Sequence, residues 1–154
     1  MSTTEVSFTD EEIQALTIAV EMIIPASDEY SLPGASDSAI FADILATAGA
    51  RQGPVGAALS TLDGLAHESQ DNSFSALDQD AKDGVTETFR RWHPAEADLL
   101  ATITVQCYCR DDRVLRALNV ETRPPFPIGF ILCEGDWSLL NPVRERPGFY
   151  RKAP

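Results

Sequence analysis

The sequence predicts an all-α protein: a compact bundle of five or six helices followed by a long, extended C-terminal tail rich in proline and aromatic residues. Three observations carry that expectation. Apolar residues recur at spacings of three and four through most of the first 119 positions, the period of one helix face. Capping residues precede these runs, and proline, glycine or asparagine close them. The chain has 154 residues and is 44% apolar, which suits a single domain that buries roughly two thirds of its unfolded surface.

The first helix opens at Thr9, which supplies an N-cap hydroxyl; Glu12 three residues on completes a capping box, and Asp10 and Glu11 add negative charge at the positive helix end. Ile13, Leu16, Val20, Ile23 and Ile24 make its apolar stripe, and Pro25 stops it. Positions 26–36, with Pro33 and Gly34, read as a loop. Asp37 or Ser36 caps a second helix whose face is Ile40, Ile44, Leu45 and Ala48, with Gly49 at its exit. After the connector 51–53 a third helix is expected over 54–65, with Pro54 in the tolerated first turn. The polar stretch 67–75 has little periodicity and reads as a surface loop.

A fourth helix is expected from about Leu77, through Val85 and Phe89, to Trp92, because Pro94 disfavours helical geometry at His93. Pro94 opens a fifth, with Leu99, Leu100, Ile103 and Cys107 on its buried side and its end near Tyr108. Asp111 or Asp112 caps a short sixth helix over 113–118, and Asn119 suits the left-handed exit. The helical body is thus 1–119 and the tail 120–154. The tail holds Pro124, Pro125, Pro127, Pro142 and Pro147 among Phe126, Phe130, Ile131, Trp137, Leu139, Leu140, Phe149 and Tyr150. So many aromatics argue against disorder, and so many prolines against long regular elements, which leaves an extended tail laid over the body or over a partner.

Twelve Lys and Arg against 24 Asp and Glu give a formal charge of −12, which repels phosphate backbones and anionic lipid, so nucleic acid is a poor candidate partner. No apolar run approaches the ~20 residues that cross a bilayer, and the start lacks the pattern of a secretory signal, so a chain without direct membrane insertion is expected, cytoplasmic as written and periplasmic if a native leader has been removed. In the cytoplasm thiols stay reduced, and Cys107, Cys109 and Cys133 read as free.

The chemistry-bearing residues form no familiar site. No glycine-rich nucleotide turn and no Gly-x-Ser-x-Gly elbow is present, so no cofactor is expected on this chain itself. Cys107, Cys109 and Cys133 offer three thiolates to a metal, yet one intervening residue is unlike the usual two to four, and i and i+2 point to different sides of a helix. His93 with Glu96 and Asp98 suggests an acid–base or metal cluster, but His93, Pro94 and Glu96 also make a sensible helix start. Asp28, Glu29, Asp111 and Asp112 are loop carboxylates beside caps, and His67 with Glu68 lacks a second histidine.

Several blocks together carry a resemblance. They are Phe8-Thr9-Asp10-Glu11-Glu12 through Ile23-Ile24-Pro25-Ala26, then Leu32-Pro33-Gly34-Ala35 and Ile40-Phe41-Ala42-Asp43. Further on come Cys107-Tyr108-Cys109-Arg110-Asp111-Asp112-Arg113-Val114 to Leu118-Asn119, then Pro127-Ile128-Gly129-Phe130 and Pro142-Val143-Arg144. In this order they resemble the gluconate 2-dehydrogenase subunit 3 family, the small or gamma subunit of flavin-dependent sugar and alcohol dehydrogenases. Two positions depart from its pattern: Cys109 stands where a second tyrosine is usual, and Asn119 where glycine is usual. The resemblance implies an accessory, non-catalytic subunit. Its partner would be a large flavoprotein of the glucose–methanol–choline type carrying FAD, in some cases with a cytochrome subunit.

Two functional expectations follow. In the first, Tyr108, Phe126, Phe130, Trp137, Phe149 and Tyr150 are partner-binding anchors, since aromatics dominate interface energetics. In the alternative, the scaffold is a stand-alone enzyme or small-ligand-binding protein with a pocket between helices and tail, and Tyr108, His93 or an acidic loop residue serves as acid or base.

Overall fold

In the computed structural model, which describes residues 8–123, 126, 129 and 135–146, helix α1 spans Asp10–Ile23 and begins at the expected cap. The Thr9 hydroxyl accepts the Glu12 N–H at 3.2 Å, and the Glu12 carboxylate accepts the Thr9 N–H at 2.8 Å, so both halves of the capping box close. Leu16 and Val20 enter the core. Beyond Pro25 the loop is pinched by paired backbone bonds of 2.9 Å between Ser27 and Leu32, with Ser31 left-handed at φ 52°.

Helix α2 is Ser38–Gly49, and of the two expected caps it is Asp37 that accepts the Ala39 N–H, at 3.1 Å. Ile40, Ile44 and Ala48 point inward at successive i+4 steps. Helix α3, Gln52–Gln70, is longer than the sequence suggests at both ends. The connector joins its first turn, where Pro54 lacks only an N–H that no intrahelical carbonyl awaits. At the other end the buried stripe of Leu59, Leu62 and Ala66 continues past Leu65, His67 meets Asp63 at 3.4 Å, and the left-handed Asp71 closes the helix.

The stretch expected to be a polar surface loop therefore holds the last turn of α3 and then a 3-10 turn, Phe74–Ala76. Phe74 is fully buried and its N–H donates to Asp63 Oδ1 at 2.9 Å. Leu77 is buried too, but extended, so α4 (Gln79–Trp92) starts two residues after it, with Asp78 as cap. Helix α5 is Pro94–Tyr108, as expected, and α6 is Asp112–Ala117 with Asp111 as cap. Asn119 takes the left-handed conformation at φ 56°.

Helices α3 and α5 pack on one another, and each also packs against α1, α2 and α4. The core lies between them, built from Val20, Ile44, Val55, Leu62, Phe74, Phe89, Leu100, Ile103 and Val114. The buried Thr104 hydroxyl donates to the Leu100 carbonyl at 2.8 Å, so its polarity costs the core little. Among the described residues the regular elements are helices with no strand.

The chain divides into two units, Met1–Thr122 and Arg123–Pro154. In the second, the expected extended path is broken at 137–144, where a 3-10 turn (Trp137–Leu140) runs into α7 (Asn141–Arg144). Asp136 Oδ1 takes the Ser138 N–H at 2.9 Å, and Pro142 sits in the first turn of α7, where a proline fits. Among the described residues no helix is long and apolar enough to cross a membrane.

Candidate functional site

Two places in the helical unit gather side chains from distant parts of the chain. The first is the corner where the end of α5 and the start of α6 meet α2 and the loop before it. Tyr108, on the last turn of α5, is 6% exposed and its hydroxyl donates to the Pro33 carbonyl at 2.8 Å. Burial, and then the negative charge available to Cys109 and Asp111, push this phenol above its ordinary range. Arg110 reaches Asp43 at 2.9 Å, Thr47 Oγ1 at 3.1 Å and Cys107 Sγ at 3.0 Å. The buried Cys107 thiol in turn donates to Thr47 Oγ1 at 3.4 Å.

Arg113 is held between two cap residues. Its guanidinium meets Asp37 at 2.6 and 3.2 Å and Asp111 at 2.9 and 3.0 Å, while both carboxylates also accept backbone N–H groups of the helices they cap. Hydrogen bonding to Arg113 holds the Asp37 and Asp111 carboxyls below the usual range, and the two carboxylates push Arg113 upward. Gly34 is part of the same corner. A Cβ there would lie 2.6 Å from Glu21 Oε2 and 3.0 Å from the Ala26 nitrogen, and Ser36 donates to that same Glu21 oxygen. The chemistry available at this corner is that of a fastening: every polar group named has a partner inside the unit.

The second place is a groove of about 800 Å³ between α1, α4 and α5. Ala19, Met22, Leu62, Phe89, Leu100 and Ala101 give it apolar walls, and α4 and α5 bring Asp83, Glu87, Arg90, Arg91 and Asp98 to it. Thr86, also at the groove, donates to the Met22 sulfur at 3.8 Å. Glu87 is shared by Arg90 at 3.6 Å and Arg91 at 3.7 Å. The sequence carries little signal for this groove. Ala97 and Ala101 at i and i+4 are small enough to leave a depression, but alanine in a helix is too common to mark one.

The candidate residues are placed as follows. Tyr108 and His93 do not line the groove. His93 occupies the cap position of α5 without a side-chain cap bond; its ring stacks on Phe89 with centroids 6.1 Å apart, and its Nδ1 lies 3.8 Å from Glu96. Cys107 is buried and Cys109 exposed, both as free thiols. Asp111 is a cap, Asp112 pairs with Arg116 at 2.9 Å, and Asp28 and Glu29 are exposed in the loop. In the second unit Phe126 and Trp137 are 86% and 68% exposed. Phe130, Cys133, Phe149 and Tyr150 lie outside the described residues. No group of three potential metal ligands occurs among the described residues.

Compared with protein-family models, curated proteins and solved structures, the chain finds no match in any of the three.

Proposed function

We propose that the chain is an accessory, non-catalytic subunit that binds and stabilises the large subunit of a flavin-dependent dehydrogenase, the partner carrying the FAD and a cytochrome completing some assemblies. The observation that carries this reading is the apolar surface of the second unit. Phe126, Trp137, Leu139, Leu140 and Val143 are all at least 40% exposed, and in a stretch this short they leave to water the kind of surface that interfaces bury. The order of the sequence blocks, with Pro33, Asp43, Tyr108 and Arg110 meeting at one corner of the helical unit, also supports the reading.

A stand-alone enzyme would need Tyr108 or His93 free to work on a ligand. The Tyr108 hydroxyl instead donates to Pro33, and neither Tyr108 nor His93 lines the groove. We place the assembly in the cytoplasm, a reducing compartment that suits the free thiols Cys107 and Cys109.

The test is affinity purification of the tagged full chain from its host. A yellow, flavin-containing dehydrogenase should co-purify in stoichiometric amount, and Trp137→Ala with Leu139→Ala should deplete it. Turnover of a substrate by the isolated chain with no flavin present would overturn the reading.

A further inference from the structure

We infer that the groove between α1, α4 and α5 seats an amphipathic helix of the partner protein, one whose apolar stripe is flanked by lysine or arginine; this rests on the partner-binding reading and gives it a location. Three properties of the groove select that occupant.

Its walls are apolar in the middle and charged at the edges. Met22, Leu62, Phe89 and Leu100 form the apolar part, and Ala19, Ala97 and Ala101 keep it from being filled by the unit's own side chains. A stripe of residues at i, i+3, i+4 and i+7 spans about 10 Å of helix, which a groove of about 800 Å³ can take along its length. Met22 is the adaptable wall, since an unbranched thioether reshapes to an incoming side chain at small cost.

The groove also stays open to water on one side. A small molecule lying in it would leave much of its surface wet, whereas small-molecule sites commonly enclose about 70–90% of their ligand. A helix asks for less. Only its apolar stripe must leave water, and its polar face belongs outside.

The third property is charge. At the groove Asp83, Glu87 and Asp98 outnumber Arg90 and Arg91 by one; Glu87 pairs with both arginines, Asp83 accepts the Gln79 side-chain amide at 2.9 Å, and Asp83 on the α4 side and Asp98 on the α5 side bring negative charge to an occupant. Behind them the unit 1–122 carries 21 Asp and Glu against seven Lys and Arg. That field repels an acidic helix and draws in a basic one. It also opposes a second copy of this chain docking by the same acidic unit.

A photo-crosslinking amino acid in place of Ala101 in the full-length chain, expressed in the host, tests the assignment. Ser60 on the exposed side of α3 serves as the control position. Cross-linked peptides should map to one helical partner segment that carries apolar residues at i, i+3 or i+4 and more Lys and Arg than Asp and Glu. Replacing the exposed Asp83 and Asp98 together by Lys should lower the yield roughly tenfold, with the thermal midpoint unchanged.

Several results would overturn the proposal: cross-links to this chain itself, to a strand or loop, or to an acidic segment, or equal yield from Ser60. Absence of a cross-link at Ala101 while a flavoprotein still co-purifies would sink the groove assignment and leave the subunit reading standing. Cross-links to a basic helix of a protein that holds no flavin would do the reverse.

Discussion

Replacing Tyr108 by Phe removes one oxygen and keeps the ring. The ring is 6% exposed, so its packing survives, and what is lost is the 2.8 Å bond to the Pro33 carbonyl. Such a bond contributes about 0.5–1.5 kcal/mol net; Pro33 is only half-buried, so water can reach the vacated carbonyl and the expected cost is ~1 kcal/mol. Tyr108→Ala removes the ring as well, and truncating a buried large aromatic costs about 3–5 kcal/mol. With a urea m-value of about 1–3 kcal/mol/M, the unfolding midpoint followed by circular dichroism should fall by roughly 0.3–1 M for Phe, and by roughly three to five times as much for Ala.

A pH series adds a second, independent reading. Because burial raises the phenol's pKa, the folded chain keeps that proton where the unfolded chain has lost it. The corresponding stability is present in full below the unfolded value of about 10 and is lost as pH rises through the folded one. The wild type should therefore lose stability at alkaline pH more steeply than Tyr108→Phe, and the gap between the two should close. Equal midpoints at neutral pH would refute the fastening role of the hydroxyl. A midpoint for Ala no lower than that for Phe would refute the core role of the ring.

Other perturbations probe the remaining parts. Phe74→Ala should cost about 3–5 kcal/mol by chemical denaturation, since it empties a site at 0% exposure; a loss under ~1 kcal/mol would mean the 3-10 turn is peripheral after all. Gly34→Ala should lower the thermal midpoint because the new Cβ displaces Glu21 from Ser36, and adding Glu21→Ala should recover part of the loss; no recovery would implicate the Ala26 backbone instead. Asp37 and Asp111 have depressed pKa values, so the stability they contribute is present above about pH 4 and is lost as pH falls through their folded values. Arg113→Ala should accordingly flatten the acid side of a midpoint-versus-pH curve, and an unchanged slope would dismiss the clamp.

Helix register is legible in this sequence because local chemistry decides it. Thr9 with Glu12, Pro94, Asp111 and Asn119 each act on backbone groups within a few positions, so the residue type at a boundary is nearly the boundary itself. The polar stretch after Ala66 is illegible for the opposite reason. His67, Glu68, Ser69 and Gln70 carry no apolar pattern, and they are helical because the stripe preceding them is packed against neighbours far away in the chain. Phe74 is a lone aromatic among serines and asparagine, and only the tertiary fold makes it core. The groove fails to show for a related reason: it lies between α1, α4 and α5 with Leu62 of α3 behind them, and no single stretch contains enough of it to form a motif.

Residues from the stretches around Pro33, Asp43 and Tyr108 to Arg113 are neighbours in space, and Asp37 joins them. Pro33 and Tyr108 are 75 positions apart and share a hydrogen bond, Asp37 and Arg113 are 76 apart and share an ion pair, and Asp43 with Arg110 makes a third link across the same seam. The two exposed ion pairs contribute little stability individually, and with the Tyr108 bond they join the end of α5 and the start of α6 to α2 and the loop before it. Past α6 the chain passes Asn119 in the left-handed conformation and enters the unit whose Trp137, Leu139 and Val143 face water. Conservative-looking changes at the corner should therefore alter stability before they alter recognition, whereas changes at Trp137 or around Ala97 and Ala101 should do the reverse. On the proposed subunit role, Cys109→Tyr changes an exposed position outside the seam's bonds, so its effect should be read in partner affinity rather than in unfolding.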